Sequence, residues 1–301
     1  MQNKRSSVIH KTVRRVKSIF GFRTRYLQLE SRNELLEKKV NELSKGLNRL
    51  RYRHERQTSK AHERIGVLTD LLGELMYPDN VNKQFDTAQD KVWSTHHGFR
   101  YVTHHLGEDW KLTRIPYWEV ILDNVPECHS ILEFGCNIGS NLKAINLINP
   151  NYDLSGIEIN PFAVDQVRKL PFVKAEEGSI VNHDMGDKYD FVFSRGVLIH
   201  INREDLPVVF DNMVKHSRKY IMLFENYNDE DEALDGYGKL VTGGESGESY
   251  QFWANYPKLF KSQHPDWELI SSGVRTEKGR TPVKGDLYWA IFKAPEEQPS
   301  E

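Results

Sequence analysis

Residues 130–141 read SILEFGCNIGSN, and this stretch decides the fold. Its first five residues are mainly apolar, which predicts a short buried β-strand. The following loop carries Gly135 and Gly139, at positions where a ligand needs close approach to the backbone. The apolar residues from Leu142 to Leu147 predict that a helix opens directly after the loop. A strand, a glycine loop and a helix in this order indicate an α/β unit of the nucleotide-binding type.

Strand-like segments recur on the C-terminal side of this unit, and helical patterns, such as residues 161–170, lie between most of them. This alternation predicts an α/β fold, doubly wound around a mostly parallel seven-stranded sheet, with the ligand at the carboxyl ends of the strands. The last two strands are joined by a polar stretch without a helical pattern, so we expect an antiparallel hairpin at the sheet edge. The predicted strands cover residues 130–134, 153–158, 172–175, 190–194, 220–224, 267–274 and 287–292.

Two carboxylates at the ends of neighbouring strands predict the cofactor. Glu158 follows Gly135 by 23 residues, where a carboxylate can accept hydrogen bonds from both ribose hydroxyls of an adenosine. Glu133 ends the first strand, where it would repel a pyrophosphate and attract an ammonium group. The loop is neither Gly-x-Gly-x-x-Gly nor a Walker motif with its lysine. A ligand that combines adenosine, a cationic centre and an α-amino group is S-adenosylmethionine.

Three segments carry a resemblance to a known family, and they read EFGCNIGSN at 133–141, GIEIN at 156–160 and YDFVFSRGVLIHI at 189–201. They resemble class I S-adenosylmethionine-dependent methyltransferases, and within that class the small methylases associated with pseudaminic acid and surface-polysaccharide biosynthesis. The resemblance spans residues 93–292 and implies a Rossmann-like methyltransferase fold. The commonest form of the loop in this class has Gly where this chain has Asn137.

The resemblance also implies which residues contact the cofactor. Glu133 would orient the methionine ammonium, Glu158 would hold the ribose, and Ile159 would pack on the adenine. An upstream segment that matches at Gly98 and Tyr101 would cover the cofactor. The other implied contacts are Gly135, Cys136, Asn137 and Gly139 in the loop, Gly178, Ser179 and Ile180 after the third strand, and Ser194, Arg195, Gly196 and Val197 at the end of the fourth.

The catalytic candidates follow from the chemistry of methyl transfer, which mainly requires a nucleophile placed opposite the sulfonium. His200 is a candidate general base that would take the proton of the acceptor. The alternative interpretation is a histidine that only tunes helix packing. Glu225 and Tyr227, at the end of the fifth strand, are alternative substrate contacts. We predict no metal, because no familiar zinc spacing relates His96, His97, His104 and His105.

The charge of the chain is divided between two parts. The 301 residues include 41 Lys+Arg and 43 Asp+Glu, but residues 1–76 hold 18 basic and 8 acidic residues. No apolar run approaches the ~20 residues that span a bilayer, and no apolar core of a secretory signal follows the basic start. The two cysteines, Cys128 and Cys136, are too few for a disulfide framework, which favours a reducing cytoplasm.

Residues 1–28 are predicted to form a basic amphipathic leader. Apolar positions such as Ile9, Val13 and Phe20 fall on one side of a helix beside lysines and arginines, which favours peripheral contact with the anionic inner face of a membrane. A disordered basic tail and an organellar transit peptide are the alternatives. Nucleic acid ranks lower as a partner, because no folded nucleic-acid motif accompanies the leader.

Residues 29–76 follow a seven-residue repeat, which predicts a coiled-coil helix. One apolar row begins at Leu29 and continues with Leu36 and Leu43, and a second row begins at Asn33 and continues with Val40. This spacing keeps one seam facing a partner, so we expect a homo-oligomer through residues 29–75. The alternative is a single amphipathic helix that packs on its own globular domain.

The sequence thus predicts five parts: the leader at 1–28, the coiled coil at 29–76, a helical lid or connector at 77–128, a methyltransferase domain at 129–294 and a disordered tail at 295–301. We expect a cytoplasmic enzyme that methylates a hydroxyl, less favourably an amine, of a sugar or surface-glycan precursor. One alternative keeps the reaction but changes the acceptor to a protein, nucleic acid or small metabolite. Another is a coiled-coil scaffold whose methyltransferase fold senses the cofactor or is inactive.

Overall fold

The computed structural model describes residues 87–94, 98, 101–102, 110–229, 241–242, 248–249 and 252–296. The predicted leader, the coiled coil and the four clustered histidines lie outside the described residues. The predicted connector at 77–128 is described in part. The division of the chain into five parts therefore stays a prediction.

A mixed sheet of eight strands forms the centre of the fold, in the order β3-β2-β1-β4-β5-β10-β8-β9. The first five strands of this order are parallel, and β10 runs antiparallel to both of its neighbours. The strands are β1 Ser130–Phe134, β2 Asp153–Glu158, β3 Val173–Glu177, β4 Tyr189–Arg195, β5 Ser217–Asn226, β8 Glu268–Val274, β9 Glu277–Lys278 and β10 Leu287–Lys293. A separate two-stranded pair joins β6 Val241–Thr242 to β7 Glu248–Ser249.

The predicted count of seven strands is wrong by one, because β9 pairs with β8 across a two-residue turn. Arg275, the first residue of that turn, has a left-handed backbone with φ 51°. Tight hairpins usually mark such positions with Gly or Asn, so Arg275 gave no turn signal. The Trp289 indole N–H donates to the Arg275 carbonyl at 2.8 Å and ties the turn to β10.

The expected antiparallel pairing of the last two predicted strands is confirmed, since β10 pairs antiparallel with β8, but the short β9 lies outside this hairpin at the edge. β10 lies between β5 and β8, and the edge is formed by β8 and the short β9. β10 is fully paired on both sides and carries Trp289, Ala290 and Ile291, all completely buried. A strand buried between two neighbours suits this apolar run better than an edge strand.

Helices cover both faces of the sheet, as the alternating pattern predicted. α3 starts immediately after the glycine loop, and α4 starts at Pro161 behind the side-chain cap of Asn160, which accepts from the Ala163 amide at 3.1 Å. α4 ends three residues earlier than predicted. The helices are α1 Ala88–Ser94, α2 Trp110–Leu122, α3 Ser140–Ile148, α4 Pro161–Val167, α5 Leu206–His216 and α6 Tyr256–Gln263, with a 3-10 turn at Leu198–His200.

Two apolar layers, one on each face of the sheet, hold the helices in place. On one face, Phe191 and Phe193 of β4 pack beneath Trp118 of α2, with ring centroids 4.7 Å apart for Trp118 and Phe193. On the other face, Val192 packs with Phe210 of α5. All five side chains are at most 1% exposed, so the continuous apolar run of β4 is explained by burial on both sides.

The parallel register brings the ends of β1, β2 and β4 to one edge of the sheet. Phe134 of β1 lies opposite Ile157 of β2 and Ser194 of β4. The loops that follow these strands therefore start side by side. None of the helices in the described part of the chain is long and apolar enough to cross a bilayer.

Candidate active site

The glycine loop after β1 is held in a conformation that few residue types tolerate. Gly135 and Gly139 have φ values of 73° and 72°, and Asn137 has 50°. Asparagine is the residue that enters this left-handed region most readily after glycine, which explains how Asn137 can replace the usual Gly. A Cβ on Gly135 would come within 2.6 Å of Val197, so the loop also needs glycine for close packing against the end of β4.

Glu158 at the end of β2 ties two loops together. Its Oε2 accepts from the Asn137 amide at 2.7 Å, and its Oε1 accepts from the Asn160 amide at 2.8 Å. Each carboxylate oxygen has a second lone pair for a ligand hydroxyl. Burial raises the pKa of Glu158 above its ordinary value, and the backbone amides of Asn160, Asn137 and Ile159 oppose that rise.

Glu133 at the end of β1 belongs to a buried network that begins on α2. The Asn141 side-chain amide donates to Glu133 Oε1. The amide is oriented by donors on its oxygen, namely Arg114 Nη1 at 2.6 Å, Tyr117 Oη at 3.2 Å and Trp118 Nε1 at 3.3 Å. Burial raises the pKa of Glu133 to about 8, against the opposing effects of Asn141 and Arg114. Within the described residues, Glu133 Oε2 is buried without a hydrogen-bond partner.

These groups line one cleft, whose empty volume, including the open space at its mouth, is about 960 Å³. A concave cleft lined by apolar groups and a few convergent polar groups is the usual form of a small-molecule or cofactor site. It runs across the ends of β3, β2, β1 and β4, which is where a parallel sheet is expected to bind its ligand. Thirteen of the sequence-predicted site residues line it: Tyr101, Glu133, Gly135, Cys136, Asn137, Glu158, Ile159, Gly178, Ile180, Arg195, Gly196, Val197 and His200.

The other five predicted residues do not line the cleft, and three of them support it from behind. Gly139 precedes α3, where a Cβ would come within 2.9 Å of Val167. The Ser179 hydroxyl donates to Asp90 at 3.1 Å. Ser194 is completely buried, and its hydroxyl donates to Glu225 at 3.0 Å.

Glu225 and Tyr227 line a separate, smaller pocket instead of the cleft. Glu225 is 2% exposed and accepts from the Val197 amide at 3.3 Å. Tyr227 packs edge-on against Tyr288, with ring centroids 5.4 Å apart. Glu225 therefore positions the turn after β4, and the substrate contact that the sequence suggested for Glu225 and Tyr227 stays a prediction.

Helix α1 covers part of the cleft and is attached to the strand ends by side chains. The Asn160 side-chain amide donates to the Trp93 carbonyl at 2.9 Å. Ser179 makes the second attachment, to Asp90. Gly98 follows closely, since a Cβ there would lie 1.7 Å from the Trp93 carbonyl oxygen. The expectation that an upstream segment lies over the site agrees with this arrangement.

Several residues of the cleft were missed by sequence reasoning. They are Asp90, Trp93, Val102, Arg114, Ser140, Asn160 and Ile201. Asp90, Trp93 and Arg114 come from α1 and α2, far from the glycine loop in sequence, and no motif marks them. Asn160 was readable as the residue before the helix-starting Pro161, but only as a helix cap.

The β4 end of the cleft combines aromatic rings with a buried cation. Trp93 contacts Tyr101 and His200, with ring centroids 5.3 and 4.4 Å apart. The Arg195 guanidinium lies 5.3 Å from the ring centres of both Tyr117 and Phe224. Burial lowers the pKa of Arg195, while Tyr117 raises it. Its Nε is buried without a hydrogen-bond partner in the part of the chain that the structure describes.

The donor set fits S-adenosylmethionine. Glu133 Oε2 is a buried acceptor suited to an ammonium, and Arg195 Nε is a buried donor suited to a carboxylate. Glu158, at the end of the next strand, has acceptor lone pairs suited to ribose hydroxyls. The fold and the cleft therefore define an α/β protein that binds a cationic amino-acid nucleoside.

Comparison with known proteins gives the class of enzyme. Residues 132–219 match a family model described as "Methyltransferase domain". This segment runs from β1 to the start of β5 and carries the glycine loop, Glu133, Glu158 and the β4 turn. The chain therefore carries a methyltransferase domain, which supports an enzyme that uses S-adenosylmethionine as its cofactor.

Solved structures resemble this chain at low sequence identity. The plantazolicin methyltransferase BpumL, in complex with SAH, has a TM-score of 0.50 at 16% identity, over 69% of this chain and 94% of that chain. DesVI of Streptomyces venezuelae has a TM-score of 0.49 at 13% identity, over 65% and 96%. CalS10, an amino pentose methyltransferase from Micromonospora echinaspora, has a TM-score of 0.46 at 16% identity, over 65% of this chain and 96% of that chain. A sequence search of curated proteins found no match.

Proposed function

We propose that the protein transfers a methyl group from S-adenosylmethionine to a hydroxyl group of a sugar or surface-glycan precursor. The observation that carries this proposal is the wall of the cleft at the β4 end, where the rings of Trp93, Tyr101 and His200 meet. Bound S-adenosylmethionine supplies a methyl group activated by a sulfonium. The task of the chain is to place the acceptor and to manage its proton.

The aromatic wall suits a sugar ring as acceptor. A pyranose has a face of C–H groups and a rim of hydroxyls, so it needs a flat apolar surface beside polar groups. Trp93 and Tyr101 provide that surface, and Tyr101 is 40% exposed, so an incoming molecule can reach it. His200 lies in contact with the Trp93 ring and adds a polar group at the same end of the cleft.

His200 is proposed as the group that takes the acceptor proton. A hydroxyl is a weak nucleophile until its proton is removed, and imidazole is the side chain most often used for this step near neutral pH. His200 ends the 3-10 turn at Leu198–His200. The carboxylate of Glu225 receives the backbone amides of Val197, Leu198 and Ile199, so it fixes the turn that carries the histidine.

The test is a binding experiment followed by an acceptor screen. We expect calorimetry to detect S-adenosylmethionine binding, and a methyl-release assay to show turnover with nucleotide sugars or glycan extracts. Mass spectrometry should then find one added CH₂ on the glycan. The His200→Gln variant should retain cofactor binding and lose about 10²-fold or more in kcat. Exposed His129 provides the matched control as His129→Gln, which should keep full activity.

Two outcomes would contradict the proposal. Cofactor binding without turnover on any acceptor would favour the scaffold interpretation. Turnover confined to a peptide, nucleic acid or small non-sugar metabolite would support the methyl transfer and contradict the sugar acceptor.

The proposal also places the enzyme in the cytoplasm, with a homo-oligomer through residues 29–75 and peripheral membrane contact through residues 1–28. Both segments lie outside the described residues, and the support is their heptad and charge pattern. Deletion of residues 1–28 should reduce cosedimentation with anionic vesicles. Unchanged partitioning would contradict the membrane contact.

A further inference from the structure

The order of the strand ends gives the cleft a direction. The sheet runs β3-β2-β1-β4, and Glu158 of β2 is the acceptor suited to ribose hydroxyls. Glu133 of β1 and Arg195 of β4 suit the amino-acid part, so that part lies on one side of the ribose. The base must then lie on the other side, toward the end of β3, where Ile159, Gly178 and Ile180 line the cleft.

Asp90 is the carboxylate at this end of the cleft. It lies on α1, is 6% exposed and lines the cleft. Its Oδ1 accepts from the hydroxyl of Ser179, which stands between Gly178 and Ile180. The backbone of Asp90 is used elsewhere, since its amide donates to Thr87 Oγ1 at 3.0 Å and its carbonyl accepts from Ser94 at 2.6 Å.

We infer that Asp90 recognises adenine by accepting a hydrogen bond from its 6-amino group. This amino group is the exocyclic donor of the base, and an ionised carboxylate only accepts hydrogen bonds, with several lone pairs on its two oxygens. Oδ1 can therefore accept the hydrogen bond from Ser179 while the carboxylate also accepts one from the adenine amino group. The residue determines specificity for the cofactor, and it comes from the covering helix instead of the sheet.

The position of Asp90 in the sequence points to a different role. Thr87 and Asp90 have the three-residue spacing of a capping box at the start of α1. The structure adds a contact across 89 residues of chain, from Asp90 to Ser179. A helix cap alone does not require a carboxylate that reaches the loop after β3.

The experiment compares two ligands on the full chain by calorimetry. One is S-adenosylhomocysteine, and the other is the analogue in which hydrogen replaces the 6-amino group. In the natural protein the analogue should bind about tenfold or more weakly, which is the size expected for a hydrogen bond to a charged group. In Asp90→Ala the two dissociation constants should agree within about twofold, because ligand and protein changes remove the same contact.

Three further variants separate recognition from helix stability. Asp90→Asn keeps an acceptor of the same shape, so it should retain about a threefold preference for S-adenosylhomocysteine. It also replaces Asp90→Ala in the comparison if that variant does not fold. Thr87→Ala removes the cap hydroxyl and keeps the carboxylate, and Ser179→Ala removes the neighbouring hydroxyl. Thr87→Ala should keep the full preference of the natural protein, whereas Ser179→Ala removes a hydrogen bond that holds Asp90 in place and should lower the preference without abolishing it.

The inference is overturned if the natural protein binds both ligands equally. It is also overturned if Asp90→Ala retains the preference, or if Thr87→Ala abolishes it to the same extent. A natural protein that binds neither ligand would contradict the cofactor itself, which is a different result. The inference does not depend on the proposed sugar acceptor.

Discussion

At the residue scale, Glu133 is a carboxyl group whose surroundings leave one oxygen for a ligand. Asn141 occupies Oε1, and Oε2 has no hydrogen-bond partner within the described residues. Burial raises its pKa to about 8 even beside Arg114 and Arg195, so the group is largely protonated at pH 7 in the absence of a ligand. A nearby ammonium favours the ionised form and should therefore displace the proton.

We predict that S-adenosylhomocysteine binding at pH 7 releases close to one proton from Glu133. Affinity should rise between pH 6 and pH 8 and then level off, because the work of removing the proton disappears above the pKa of about 8. Calorimetry in two buffers of different ionisation enthalpy measures the released proton directly. Glu133→Gln should abolish the release, whereas the exposed Glu127→Gln should not. A natural protein that releases no proton would contradict this role.

At the element scale, the contact between α1 and the strand ends depends on Asn160. Its Oδ1 caps α4 through the Ala163 amide, and its Nδ2 donates to the Trp93 carbonyl. One side chain therefore caps α4 and at the same time attaches α1 to the end of β2. Aspartate at this position keeps the helix cap, because Asn and Asp are both preferred N-cap residues. An ionised aspartate has no donor for the Trp93 carbonyl, so it loses that hydrogen bond.

We predict that Asn160→Asp loosens α1 without weakening α4. Amide exchange near Asp90 and Trp93 should become faster in the absence of ligand, while the melting temperature changes little. Asn160→Ala should loosen α1 and also weaken α4, with about 1 kcal/mol of stability lost from the cap. Hydrogen exchange read by mass spectrometry distinguishes the two variants. Equal amide exchange of α1 in Asn160→Asp and in the natural protein would show that the Asn160 side chain does not hold α1 in place.

Glu225 links the ends of β4 and β5 through a buried carboxyl group. Burial raises its pKa to about 7, and the amides of Val197, Leu198 and Ile199 oppose that rise. In an unfolded chain a glutamate titrates near pH 4.3. Between pH ~4.3 and about 7 the folded state therefore holds a proton that the unfolded state has lost, and stability falls as the pH rises.

We predict that Glu225→Gln becomes more stable relative to the natural protein as the pH rises from 5 to 8. The relative gain is about 2–3 kcal/mol, because one pKa unit corresponds to about 1.4 kcal/mol. Urea denaturation at both pH values measures it. The exposed Glu268→Gln serves as the control and should show no such dependence. A gain of the same size at pH 5 and pH 8 would show that Glu225 does not titrate in this range.

At the scale of the whole molecule, the chain joins a basic N-terminal part to an acidic methyltransferase part. The two rows of heptad positions predict that the N-terminal part associates with copies of itself. Leu35 and Leu36 provide a matched pair for a test, because the repeat places Leu36 in the seam and Leu35 outside it.

We predict that Leu36→Asp combined with Leu43→Asp converts an oligomer into a monomer. A charge in the seam removes apolar burial and adds repulsion between helices. Leu35→Asp introduces one aspartate outside the seam and should keep the oligomer, whereas Leu36→Asp alone already places one inside it and should weaken it. Light scattering with size-exclusion chromatography gives the masses. A natural protein that is already monomeric would instead favour a helix packed on its own domain.

The strands around the cleft were readable from local pattern alone. β1 and β2 were predicted at their observed bounds, because apolar runs ended by glycine or a carboxylate give a clear signal. β9 was missed because the Arg275 turn carries no glycine. The position of β10 between β5 and β8 was missed because pairing order leaves no mark in a strand that is apolar throughout.

By itself, the sequence determined the glycine loop, the two carboxylates at strand ends and therefore the kind of ligand, because these features depend on spacing within short segments. Only the tertiary structure decided that Asp90, Trp93 and Arg114 line the same cleft as these features, and that Glu225 lies outside its lining. Residues on separate elements meet through packing over long stretches of chain, so their shared site has no local period or spacing that a sequence could display.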